Sequence, residues 1–148
     1  MRIYFDACCV NRPFDDQTQD RVRLETEAVM LILGRIQAGM WQWIGSDVLA
    51  FELGEIPDPN RKRRVMRLTR LVQHVVSHRG RELARAVQLE GLGFDAFDAL
   101  HVACAESVHA DVLLTTDDDL LRRADRFSTQ LGVRVANPVI WLREVQEP

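Results

Sequence analysis

Lysine is almost missing from this chain: of its 19 Lys and Arg residues only Lys62 is a lysine. A receiver-type phosphoacceptor domain needs a lysine beside its aspartates, and Lys62 instead sits in a basic run just after a proline break, which argues against that class from the site rather than from the fold. Glycine-rich phosphate loops are missing too, with neither GxGxxG nor GxxxxGKS/T present, so the usual nucleotide cradles are excluded. Cysteine is sparse: Cys8 and Cys9 are adjacent, Cys104 lies in a helical pattern, and no CxxC or Cys/His spacing suits zinc. They read as small core residues. No apolar stretch approaches about 18 residues and the N-terminal run stops at Asp6, so neither a membrane span nor a signal peptide is expected, and the expected compartment is the cytoplasm. Repeats and biased tracts are absent, and only the last few residues have the character of a disordered tail.

What is present fits one domain. A length of 148 residues with 47% hydrophobic composition fills one core rather than two, so residues 1–148 are expected to fold as a unit. Arg2 to Phe5 reads as a first strand and Arg21 to Gln37 as a helix, because Val22, Ala28, Val29, Leu31, Ile32, Leu33 and Ile36 recur at helical spacing. Trp41 to Ile44 is a short strand or an extended connection, and Ser46 is the N-cap of a helix carrying Glu52. Pro57-Asp58-Pro59 breaks the chain, and a basic helix follows, with Val65, Met66, Leu68, Leu71 and Val72 as its apolar face. Glu82 to Leu89 continues as helix, and Asp95 caps the next one. Asp111 to Thr115 is the clearest strand, followed by a helix from Asp118 to Phe127, a strand from Val133 to Ala136 and a terminal helix begun by Pro138. Three or four short strands among six or seven helices predict an α/β fold, a small parallel sheet with helices on both faces.

Four acids stand out on this frame: Asp6, Glu52, Asp98 and Asp117, three of them interrupting apolar surroundings. In an α/β fold the ligand crevice lies beyond the carboxyl ends of the strands, which would present Asp6 and Asp117 together. Like charges about 4 Å apart repel by roughly 4 kcal/mol at an effective dielectric near 20, so such a cluster must take up protons or bind a cation, and a hard divalent ion is the natural partner. Taken singly, Asp6 and Asp117 also fit helix caps, and Asp98 fits the acidic partner of a capping arrangement begun by Asp95. Glu52 does not, since it lies past the first turn of its helix.

The acids together, with the opening strand ending in Asp6, the Ser-x-x-x-x-x-Glu helix at 46–52, Asp-Ala-Leu-His-Val-Ala at 98–103 and Thr-x-Asp at 115–117, make the whole chain resemble the PIN-domain family, small metal-dependent nucleases that include the VapC-type toxins of bacterial toxin–antitoxin pairs. The resemblance implies a three-layer α/β/α fold with a small central parallel sheet. It implies hydrolysis of RNA phosphodiester bonds with Mg²⁺ or Mn²⁺, which Asp6, Asp98 and Asp117 would ligate, with Glu52 as a further ligand or water-orienting group. No His or Lys general base is then required. Thr115, Asp119 and His101 would stand behind these acids; His101 lies one turn from Asp98 and either approaches a substrate phosphate or packs structurally. The family commonly has Thr or Ser after its first acid, where this chain has Ala7. A cognate antitoxin and a homodimer are also implied. The alternative is a PIN-like module that keeps the fold and serves only as a binding scaffold.

Substrate contacts are expected from two places. Asn11 and Arg12 follow Asp6 closely enough to line the mouth of the site, although Asp15 and Asp16 could instead pair with Arg12 at the surface. Between Arg61 and Arg81 there is no acidic residue, so Arg63, Arg67 and Arg70 give this stretch a positive surface for RNA backbone or for a partner protein, despite a net charge of -3 overall.

Overall fold

The computed structural model describes residues 1–146; residues 147 and 148, part of the tail noted above, lie outside the described residues. Strand β1 (Arg2–Phe5) leads into a single helical turn, α1 (Ala7–Asn11), and then into α2 (Asp20–Gln37). Next come β2 (Gln42–Ser46), α3 (Asp47–Gly54), α4 (Pro59–Leu68), β3 (Val72–Val76) and α5 (Gly80–Gly91). Helix α6 (Ala96–Ser107), β4 (Val112–Leu114), α7 (Asp118–Arg126), β5 (Arg134–Ala136) and α8 (Pro138–Gln146) complete the order. No helix among the described residues is long and apolar enough to cross a membrane.

The strands form one parallel sheet in the order β3-β2-β1-β4-β5. Alternation along the central strands decides which layer each side chain joins. Ile3, Phe5, Trp43, Val112 and Leu114 pack with α2 and α8 on one face, while Tyr4, Ile44 and Leu113 pack with α5, α6 and α7 on the other. Both faces are covered, as expected for a parallel sheet, so the central strands are almost continuously apolar. The chain winds outward from β1 to β2 and β3, then returns to β4 on the other side of β1. The reversal puts the switch point, where such sheets bind their ligands, at the carboxyl ends of β1 and β4.

Two expectations are corrected here. The described residues hold five strands and eight α-helices, one more strand and one more helix than the upper expectations. The added helix is the turn α1. The added strand is β3, where the sequence pattern had carried the basic helix on to Val72. Helix α4 stops at Leu68, Arg70 falls in a following 3-10 turn (Thr69–Leu71), and Val72 begins the strand. Strand β3 is a sheet edge paired only with β2, and its Gln73, His74 and Val75 are exposed. It therefore shows neither the alternation nor the apolar run that marks a strand in sequence.

Candidate functional site

Asp6 and Asp117 both close strands and both cap the helices that follow. The Asp6 amide donates to Leu114 O at 3.1 Å, extending the β1–β4 pairing by one residue, and Asp6 Oδ1 accepts from Cys9 N at 3.1 Å to cap α1. Asp117 Oδ1 accepts from the amides of Asp119 at 2.8 Å and Leu120 at 3.2 Å, capping α7. Thr115 joins the two acids: its buried hydroxyl donates to Asp6 Oδ2 and accepts from Asp117 N at 3.1 Å. The capping and site readings are compatible because each carboxylate oxygen has two lone pairs: Asp6 gives Oδ1 to the cap and Oδ2 to Thr115, and Asp117 caps with Oδ1 alone.

Asp6 is only 5% exposed, and burial pushes its carboxyl well above the ordinary range, with the neighbouring Cys8 as the next cause. The Cys8 thiol donates to Asp6 Oδ1 at 2.9 Å, and its contact with Cys9, ahead of those with Asp6, Thr115 and Thr116, holds that thiol down to about 5. The Thr115 hydroxyl and Cys8 thiol supply the side-chain donors at this point, where Ala7 offers none.

Asp98 lies in the first turn of α6, whose N-cap Asp95 accepts from the Asp98 amide at 2.9 Å. Desolvation first, and then the charges of Asp95 and Asp117, push its carboxyl up to about 7. The influence of Asp117 and Cys8 on Asp98 places α6 and the β1–β4 crevice in one electrostatic neighbourhood. The loop before α6 depends on Gly93, whose φ is +100° and where a Cβ would meet Arg123 Nη1 at 2.2 Å. The constraint is the backbone, since an L side chain is strained at that φ while the Arg123 tip can swing aside.

Glu52 reaches the same region from α3. Its Oε1 is bonded to His101 Nε2, and His101, 2% exposed, contacts the Tyr4 hydroxyl through Nδ1 at 2.5 Å. His101 thus packs structurally behind Glu52 rather than facing a substrate phosphate. Asp119 is exposed and pairs with Arg122. Among the described residues no three His, Cys, Asp or Glu side chains already stand as ligands around one point. The donor set nonetheless suits a hard divalent cation: Asp6 is buried, Asp98 feels the negative charges of Asp95 and Asp117, and the side-chain partners of Asp6, Glu52 and Asp117 are hydroxyl, thiol, imidazole or amide groups. A cation ligated there through oxygen would supply the positive charge that the protein does not.

Metal-free protein should therefore carry a measurable strain at Asp98. The folded state holds a proton that the unfolded chain releases near 3.8, so stability contributed by this residue falls as pH rises and is fully lost above about 7. Asp98→Asn in chelator should gain on the wild type across that window, by on the order of 1 kcal/mol after solvent screening of a partly exposed group. Mn²⁺ should raise the melting temperature of the wild type and raise that of the variant less. Identical pH profiles in chelator for both proteins would remove the strain.

The expected substrate residues separate into two groups. Arg12 is taken up by ion pairs with Asp15 at 3.2 Å and Glu25 at 2.9 Å, and Asn11 donates to Ala7 O at 2.9 Å while receiving Arg61 Nη1 at 3.5 Å. Arg61 also pairs with Asp15 at 2.8 Å, pinning α4 to this turn. Arg63, Arg67 and Arg70 instead line an open basin of about 600 Å³ with Pro59, Lys62 and Met66. Arg63 bonds only to Asn60 among the described residues.

Three features were not anticipated. Cys8 has no spacing signal, because its role comes from the β1–β4 pairing. The Tyr4 hydroxyl had a signal, since a tyrosine inside an apolar strand needs a buried partner. Phe51 and Phe97, beside Glu52 and Asp98 in sequence, are 59% and 43% exposed with rings 6.2 Å apart and 11° from parallel; exposed aromatics on helices carry no pattern that separates them from core.

No family model matches the sequence, and no curated protein matches it either. Solved structures do. The chain is similar to VapBC-1 from nontypeable Haemophilus influenzae, with a TM-score of 0.57 and 17% identity over 93% of this chain and 98% of that one. It is also similar to VapBC2 from Rickettsia felis, solved bound to a DNA fragment from their promoter, with a TM-score of 0.56 and 11% identity over the same shares. The protein therefore has the PIN-like three-layer α/β/α fold that its motifs implied.

Proposed function

We propose that this chain is a Mg²⁺- or Mn²⁺-dependent endoribonuclease of the VapC type, the toxin of a toxin–antitoxin pair working in the cytoplasm. The observation that carries the reading is the meeting of Asp6, Thr115 and Asp117 at the sheet's switch point, with Asp98 raised to about 7 by desolvation and by the charges of Asp95 and Asp117. Asp6, Asp98 and Asp117 would hold the cation, and Glu52 would add a ligand or orient water. A divalent cation bound there would supply charge neutralisation at a phosphate and a lowered pKa for a bound water. The protein's own part is to fix the carboxylates by capping bonds, to exclude water around Asp6 and to place the RNA. Incubation of the purified protein with single-stranded RNA in Mn²⁺, and in chelator as control, tests the reading. Cleavage in Mn²⁺ alone supports it; none in either leaves the scaffold alternative.

The basin on α4 is the proposed grip on the RNA backbone, since it gathers Lys62, Arg63, Arg67 and Arg70 without acids between them. Replacing Arg63, Arg67 and Arg70 with alanine should weaken RNA binding and flatten its salt dependence by about 2 in log–log slope, at roughly 0.7 per phosphate contact for single strands. Mn²⁺ affinity should stay the same. An unchanged slope assigns the basin to a protein partner, for which the antitoxin and a second copy of this chain are the proposed occupants.

A further inference from the structure

The bonds behind Glu52 run in one direction. Ser46 Oγ accepts from Leu49 N at 3.0 Å in capping α3, so its own proton points to the Tyr4 oxygen, 2.6 Å away. The Tyr4 proton then goes to His101 Nδ1 at 2.5 Å. With Nδ1 accepting, a neutral imidazole carries its proton on Nε2 and donates it to Glu52 Oε1. The reverse direction fails on counting. It would need a protonated Glu52 or an imidazolium at His101, and in either case would leave Ser46 Oγ accepting twice, with its proton unpaired among the described residues, inside a pocket where Ser46 is 2% and Tyr4 0% exposed. The chain of donors starts at the N-terminus of α3, passes through β1 and α6, and returns to α3 at Glu52.

We propose that Tyr4 and Ser46 are positioning residues that lock His101 as the Nε2–H tautomer, so that Glu52 Oε1 is held by a donated proton and Oε2 is left for the cation. This rests on the metal-site reading above. A carboxylate backed by a buried donor is pre-oriented, and loss of such outer partners typically costs 10- to 100-fold in metal affinity. The role is orientation rather than proton transfer. A glutamine at 101 can reproduce it, accepting from Tyr4 through its carbonyl and donating to Glu52 through its amide.

The test combines ¹⁵N NMR of the histidine rings in the metal-free protein with Mn²⁺ titration followed by electron paramagnetic resonance. His101 should show the Nε2–H pattern in the wild type. Tyr4→Phe and His101→Leu should each weaken Mn²⁺ binding by about 10- to 100-fold while unfolding stays cooperative, and His101→Gln should stay much closer to the wild type. A cationic or Nδ1–H His101 overturns the proposal, as does a His101→Gln variant no better than His101→Leu, or a Tyr4→Phe variant with wild-type affinity. Should the wild type itself take up no Mn²⁺, the metal-site reading fails by itself, and the tautomer alone decides whether the chain of donors exists.

Discussion

Asp98→Asn is expected to lower Mn²⁺-dependent RNA cleavage by at least about 10³-fold, equivalent to about 4 kcal/mol of transition-state stabilisation, in a protein that still folds. The amide keeps the shape of the side chain and discards the charge. Folding does not depend on that charge, because the cap of α6 belongs to Asp95, which takes the Asp98 amide. In the metal-free state the charge is a burden, since burial and the Asp95 and Asp117 carboxylates raise its pKa to about 7. Activity and metal-free stability should thus move in opposite directions in the same variant, a pattern common where a functional group is held against its preference. Steady-state cleavage of single-stranded RNA at saturating Mn²⁺, paired with circular dichroism, reads both. A variant that cleaves at the wild-type rate makes Asp98 a structural residue and takes the metal site with it.

Arg12→Ala should cost about 3 kcal/mol of stability, or on the order of 10 °C in melting temperature, because it leaves a buried carboxylate without its main cation. Glu25 is 2% exposed and is held by Arg12 at 2.9 Å, Arg21 at 3.3 Å and Asn137 at 2.6 Å. Arg21 in turn forks onto Asp118, with both contacts at 2.8 Å, and donates to Thr116 O at 2.9 Å. The Glu25 cluster therefore ties α2 to the start of α7 next to Asp117. Glu25→Gln alongside Arg12→Ala should recover part of the loss, since the neutral amide no longer needs a cation. If Arg12→Ala melts with the wild type but binds RNA weakly, the arginine belongs to the substrate after all.

The parts of the fold that could be read from sequence were those fixed by local chemistry. Ser46, Asp95 and Pro138 begin helices because a hydroxyl, a carboxylate and a missing amide each solve the problem of the first turn, and all three stand where expected. Strands β1 and β4 were legible because both faces of a central parallel strand are buried. The pieces decided by distant neighbours were not. Val72–Val76 becomes a strand through pairing with β2, and nothing within those five residues separates it from the end of a basic helix. The same limit applies at the site. Motif spacing proposes the four candidate acids, but the hydroxyl and thiol that hold Asp6, and the tyrosine behind His101, reach their partners only through β1–β4 and β1–α6 packing.

The place of β1 at the centre of the sheet also sets when the site can exist. Its pairing with β2 can form early, but its other edge waits for β4, and the Asp6–Thr115 contact joins residues 109 positions apart in sequence. Long-range parallel pairing is slow because loop closure must precede any stabilising contact. A growing chain therefore carries Asp6 for most of its synthesis without Thr115, Asp117 or Asp98 to complete the crevice. The proposed metal site is assembled only once the final third of the polypeptide has emerged, so fragments released before β4 should lack both Mn²⁺ binding and the proposed activity.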